Sequence, residues 1–136
     1  MAYTPVPYAA ASDVTVYSLP AAAIVGVPNS TLTAIILANS AEMDTFFRSR
    51  WPVPFVSWGP DVTRAACMMS APDILRVRGW NPEGPRDAYA EGRKNAMEWL
   101  KQIADGRATL DVQPAVGGPV ALPFELLMST DSLRGW

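Results

Sequence analysis

The sequence predicts an all-α fold: a small helical bundle of three to four main helices, with short N-terminal turns, one short strand and a long extended C-terminal arm. Three observations predict it. Apolar residues recur at helical spacing over Leu32–Phe47, again after Pro60, and again from Tyr89 to Ile103. Capping and stop residues bracket each run, among them Asn29-Ser30, Gly79 and Gly106. After Val112 the helical pattern is absent, yet the composition stays apolar.

Met1–Ala11 holds Pro5 and Pro7 and shows no period, so it reads as an extended lead-in. Ser12-Asp13 fits a cap for a short helix to about Tyr17, and Ser18-Leu19-Pro20 fits a second start, with Gly26 as its stop. Leu32, Ile35, Ile36, Met43, Phe46 and Phe47 form the stripe of the first main helix. Asn39 falls on that stripe, where it either hydrogen-bonds across a packed interface or lies at the stripe's edge; the edge is favoured. Asp44 and Arg48, four apart with the acid first, form a favourable helix pair. Pro52 forces Trp51 out of the helical region. Trp51–Gly59 (WPVPFVSWG) is then an apolar loop, which either folds back over the core or meets a partner; in a monomer the fold-back is favoured.

Pro60-Asp61 suits a helix first turn, and Val62, Ala65, Ala66 and Met69 make the stripe that follows. Pro72 is expected to kink or restart this helix before Ile74. Asn81–Gly84 is turn chemistry. Pro85–Asp105 reads as the best-defined helix, with Tyr89, Ala96, Trp99, Leu100 and Ile103 on one face and Arg86, Arg93, Lys94, Lys101 and Asp105 elsewhere. Ala108–Val112 suits one short strand. The chain therefore divides into a helical domain, residues 1–112, and an arm, residues 113–136. A disordered tail should be polar. This one carries Val120, Leu122, Phe124, Leu126, Leu127, Leu133 and Trp136, so it expects a surface to lie on. Its reach favours another chain over its own domain.

Composition bounds the function. At 136 residues, one domain is the default, large enough to need no metal or disulfide staple. The apolar content is 49% with 18% charged residues, which fits either a rich core or apolar surface kept for a partner. The net charge of −2 and the acids interleaved among the bases of Arg64–Arg107 argue against a dedicated nucleic-acid binder, and no basic recognition helix is evident. Cys67, the one cysteine, sits among Ala66, Met68 and Met69 and reads as a buried thiol.

The uncharged stretch Val14–Ala41 is broken by Pro20, Gly26, Pro28 and Asn29 and fails as a membrane span. No Lys or Arg precedes Arg48, so a signal peptide is not expected either. These readings suit a protein of the cytoplasm. There is no histidine, the commonest general base and metal ligand. No phosphate loop, HExxH, CxxC or GxSxG occurs. Glu42 and Asp44, two apart, point in different directions on a helix. No catalytic, cofactor-binding or metal-ligating residue is assigned, and an enzyme is not expected.

Three segments in this order, SAEMDTFFRSRWPVP, PDVTRAACMMSA and YAEGRKNAMEWLKQIADGRATL, resemble the head–tail adaptor (connector) proteins of tailed bacteriophages, in the branch found in Mu-like phages and prophages. The ending MSTDSLRGW resembles that branch's C-terminus. The likeness runs from about Leu32 to Leu110 and over those last nine residues. Pro72 departs from it, standing where that branch keeps one continuous helix.

The resemblance implies a structural virion protein assembled in the host cytoplasm into a ring of twelve copies beneath the portal, in the neck at the head–tail junction. Such a ring continues the channel through which genomic DNA passes without sequence-specific binding, and offers a platform to a stopper or tail-completion protein. It implies that Val120, Leu122, Phe124, Leu126, Leu127, Leu133, Arg134 and Trp136 form a portal-binding arm. It assigns Arg50, Trp51, Pro52, Val53, Pro54, Phe55 and Trp58 to subunit contacts or the tail-facing platform. The alternative is a non-viral helical module that interacts with proteins as a homo-oligomer.

Overall fold

The computed structural model describes residues 3–79 and 88–114. Among these residues the architecture is a small helical bundle. Its elements are α1 (Ala11–Tyr17), a 3-10 turn (Ala21–Ile24), α2 (Asn29–Phe47), α3 (Pro60–Val77) and α4 (Ala88–Ala104). α2, α3 and α4 pack on one another, and α1 and the 3-10 turn lie against α3. The expected turn at Asn81–Gly84 lies outside the described residues.

The core follows the helical stripes. Leu32, Ile36, Met43 and Phe47 of α2 meet Val62, Ala66, Met69 and Ile74 of α3 and Ala96, Leu100 and Ile103 of α4, all buried in one cluster. Gly26, Gly79 and Gly106 have φ of 88°, 88° and 81°, the left-handed conformation in which a side chain is strained, so each serves as the stop its sequence position suggests. Cys67 is a buried free thiol, and burial pushes its pKa up to about 12, with Asp13 adding to the shift.

Several expectations are corrected. Asn29 and Ser30 lie inside the first turn of α2, not at its cap; Pro28 takes the cap position with extended backbone. Ser18 starts no helix. It closes α1, its hydroxyl donating to the Val14 carbonyl at 3.2 Å, and Pro20 leads into the 3-10 turn instead. Asp13 lies in the first turn of α1, where its carboxylate accepts the Ala10 N–H at 2.8 Å.

α3 continues through Pro72 as a single helix, so it does not restart before Ile74. Proline removes the N–H that the Met68 carbonyl would accept. The adjoining carbonyls have side-chain donors: Arg93 reaches Met69 at 2.7 Å and Ser70 reaches Ala66 at 2.8 Å. The Pro72 ring is itself buried. Of these two donors, Arg93 comes from α4, so the turn beside Pro72 is tied to a neighbouring helix.

The strand expected at Ala108–Val112 reduces to one antiparallel bridge, Gln113 with Ser57. The Gln113 N–H donates to the Ser57 carbonyl at 3.0 Å and the Val56 N–H to the Gln113 carbonyl at 2.7 Å. No further strand residues lie opposite among the described residues, so the ladder stops at one rung. Among the described residues no helix is long and apolar enough to cross a membrane.

Candidate functional site

The site is built where α2 ends. The Arg48–Arg50 turn leads into the Trp51–Gly59 loop, which folds back over the bundle and contains a cis Val53–Pro54 bond. Phe55 is buried, while Trp51, Val53 and Trp58 are half-buried against the core. Pro52 and Pro54 are half-buried as well, and Val56 remains 52% exposed. The favoured monomer reading, a loop laid over its own core, is therefore what the fold contains.

Tyr8 organises the loop. Its ring, 1% exposed, sits edge-on to Trp58 at 4.7 Å and to Phe47 at 6.1 Å, and 5.7 Å from Phe55. Phe47 and Phe55 lie 4.8 Å apart, and Trp51 closes edge-on over Phe55 at 5.8 Å. Such edge and tilted pairs suit the quadrupoles of aromatic rings. The polar atoms of Tyr8 are used just as fully. Its N–H donates to Ser40 Oγ at 2.9 Å, and its carbonyl accepts the Trp58 indole N–H at 3.1 Å. Its hydroxyl accepts the Phe55 N–H at 3.1 Å and donates to Asp44 Oδ1. The expected extended lead-in is thus a docked strap.

Asp44 is fully buried, and the Tyr3 hydroxyl donates to its Oδ2 at 2.5 Å. The expected Asp44–Arg48 pair does not form an ion pair among the described residues. Asp44 turns inward to the two phenols, and Arg48 lies over the Tyr3 ring at 4.9 Å. Burial raises the Asp44 pKa above its ordinary value; the hydrogen bonds from Tyr3 and Tyr8 and the charge of Arg48 oppose it without reversing it. Burial and the bond to Asp44 likewise raise both tyrosines.

The sign for Asp44 follows from linkage. Above the unfolded pKa near 3.8 the native chain holds this proton more tightly than the unfolded chain. Its contribution to stability therefore falls as pH rises from there through the raised native pKa. Urea unfolding from acidic to neutral pH should show this decline in the wild type and lose it in Asp44→Asn. Parallel pH profiles for the two proteins would refute the assignment.

Arg50, though exposed, reaches the end of α4. Its Nη1 donates to the carbonyls of Ile103 at 3.0 Å and Ala108 at 2.8 Å, and the guanidinium lies 4.7 Å over the Trp51 ring. Ile103 belongs to the last turn of α4, where the dipole favours a cation; its carbonyl also accepts the Gly106 N–H at 3.1 Å. Arg50 thus caps α4 and seats Trp51 in one placement. Arg78 plays a related part at the end of α3, donating to the Val25 carbonyl beside the 3-10 turn.

Asn39 and Arg93 form a second node that the sequence reading misplaced. Asn39 is buried, not at the stripe's edge. Its Nδ2 donates to Asp73 Oδ2 and to the Ile35 carbonyl, each at 3.0 Å. Its Oδ1 accepts from Arg93 Nη1 at 2.9 Å, and Arg93 Nη2 reaches Glu42 at 3.1 Å. Arg93, expected off the apolar face of α4, joins α2, α3 and α4 with its side chain 28% exposed.

The proposed arm residues Val120, Leu122, Phe124, Leu126, Leu127, Leu133, Arg134 and Trp136 lie outside the described residues. The first arm residue, Gln113, is described, and its bridge to Ser57 brings the start of the arm onto the aromatic loop. Among the described residues no three Cys, Asp or Glu side chains gather as a metal-binding group.

These features define an all-α bundle with an aromatic loop clamped on it by an N-terminal strap. The family profile described as Bacteriophage Mu, Gp36 matches residues 8–118, and the chain belongs to that bacteriophage family. No curated protein matches it.

Proposed function

We propose that the chain is a structural, non-catalytic virion protein acting as a head–tail adaptor. In this reading about twelve copies form a ring in the neck beneath the portal. The ring extends the DNA channel and gives a stopper or tail-completion protein its docking platform. The observation that carries the reading is the Ser57–Gln113 bridge within a chain of the Mu family. It sets the start of an apolar arm directly beside the aromatic loop, so the two regions assigned to contacts adjoin.

Phe55 from within and Arg50 through the end of α4 hold the loop to the bundle, leaving the outer edges of Trp51, Val53 and Trp58 and the exposed Val56 for a neighbouring subunit. Near-neutral charge also suits a channel, because a strongly basic lining would hold DNA that must slide. Removing residues 115–136 keeps the bridge. That chain should retain its helical circular dichroism and lose copurification with the portal. Loss of the helical signal would make the arm part of the core, and undiminished portal binding would place the contact elsewhere.

A further inference from the structure

A closed ring of identical copies joins each copy to the next through two different faces, because a head-to-tail contact is heterologous. The aromatic loop supplies one such face. Residues 51–59 carry no charge, and Val56 stands 52% exposed among them.

A second uncharged surface lies on α2. No residue from Val14 to Ala41 is charged, and Ser30, Ala34 and Ala38 are exposed. With Ile35, and with the exposed Val77 of α3, they line an open groove of about 480 Å³. Asp73 also lines it, but its carboxylate is engaged, by Arg76 at 2.7 Å and by the Asn39 amide at 3.0 Å. An apolar cavity of about 150 Å³ holds a benzene ring. The groove is therefore sized for a few side chains at the edge of a loop, such as Val56 and its neighbours.

The two surfaces lie on opposite sides of α2. The strap and the loop are bound to the side that carries Ser40 and Phe47. At 3.6 residues per turn, Ala38 stands roughly 160° from Ser40 and 180° from Phe47 around the helix axis. The loop of one chain thus cannot enter the groove of the same chain. Opposed faces are what a subunit needs to take one neighbour on each side. Joining these two buries no unpaired charge, which would be costly.

We propose that the α2–α3 groove receives Val56 and the adjoining edge of the aromatic loop from a second copy of this chain. This pairing rests on the ring reading above and adds to it the face that receives the loop. It involves no portal, so it and the portal experiment can fail separately.

Sedimentation of the full chain over a concentration series tests it. The wild type should form assemblies larger than a dimer. Ala34→Glu and Val56→Glu each change an exposed residue, so both chains should keep their helical circular dichroism, and each alone should sediment as a monomer. Mixed in equal amounts, the two should give dimers and nothing larger. One intact pairing remains in that mixture, the loop of the Ala34→Glu copy in the groove of the Val56→Glu copy. A wild type that stays monomeric throughout the series would overturn the proposal. So would a single variant that still assembles, or a mixture that stays monomeric.

Discussion

Tyr8→Ala is expected to cost the domain about 3–5 kcal/mol, the range for emptying a buried aromatic site. Against a total stability on the order of 5–15 kcal/mol, this brings the chain close to unfolding. The loss has two parts. The ring leaves a gap between Phe47, Phe55 and Trp58. The hydroxyl leaves the Phe55 N–H unpartnered and Asp44 with Tyr3 as its remaining phenol donor. Tyr8→Phe separates the parts. It keeps the ring and should still cost about 1–3 kcal/mol, because buried polar groups lose a partner that water cannot replace. Urea unfolding of the two variants measures both. A Tyr8→Phe chain as stable as the wild type would mean that the hydroxyl contributes nothing and the strap is held by packing alone.

The second large effect is at Arg93. Arg93→Ala should destabilise by about 2–4 kcal/mol, chiefly through the buried Asn39 amide and the Met69 carbonyl that lose their donor. The limb to Glu42 is half-exposed and adds only about 0–1 kcal/mol. Arg93→Lys should recover only part of the loss, since one ammonium cannot reproduce a fork that serves Asn39, Met69 and Glu42 together. The decisive measurement is a cycle with Asn39→Leu, which removes the orphaned amide. The double variant should be less destabilised than the sum of the singles. Strict additivity would show that Asn39 and Arg93 do not act as one unit.

The bundle was legible in the chain because stripes and stops are local signals. Leu32, Ile36, Met43 and Phe47 repeat within one helix, and Gly79 and Gly106 sit at the ends they terminate. The aromatic loop was legible too, since Trp51-Pro52 ends a helix and WPVPFVSWG is too apolar to stand in water. What the helical stripes do not show is where polar side chains go inside the bundle. Asn39, Ser40 and Asp44 interrupt the stripe of α2 and are buried all the same. Apolar positions continue on both sides of them, which marks these positions as inward-facing. Their partners gave no local sign: Tyr8 lies 36 residues from Asp44 and Arg93 54 from Asn39. Pro72 suggests a kink or a restart, and the donors beside it that accompany an unbroken helix include a residue from another helix. The bonds from Arg50 to Ile103 and Ala108 gave no local sign either, since their partners lie more than fifty residues away.

The ties of the aromatic loop also set an order in time. Backward, Phe55 and Trp58 bond Tyr8 across 47 and 50 residues; forward, Arg50 bonds Ile103 and Ala108 across 53 and 58. A chain emerging from the ribosome has the strap available as soon as the loop appears. The cap on α4 and the rung to Gln113 must wait for the last third of synthesis. Until then the loop is fastened on one side only, with Trp51 uncovered by the cation that later seats it. Nascent chains shorter than about Gln113 are therefore the form of this protein most exposed to mispairing with one another.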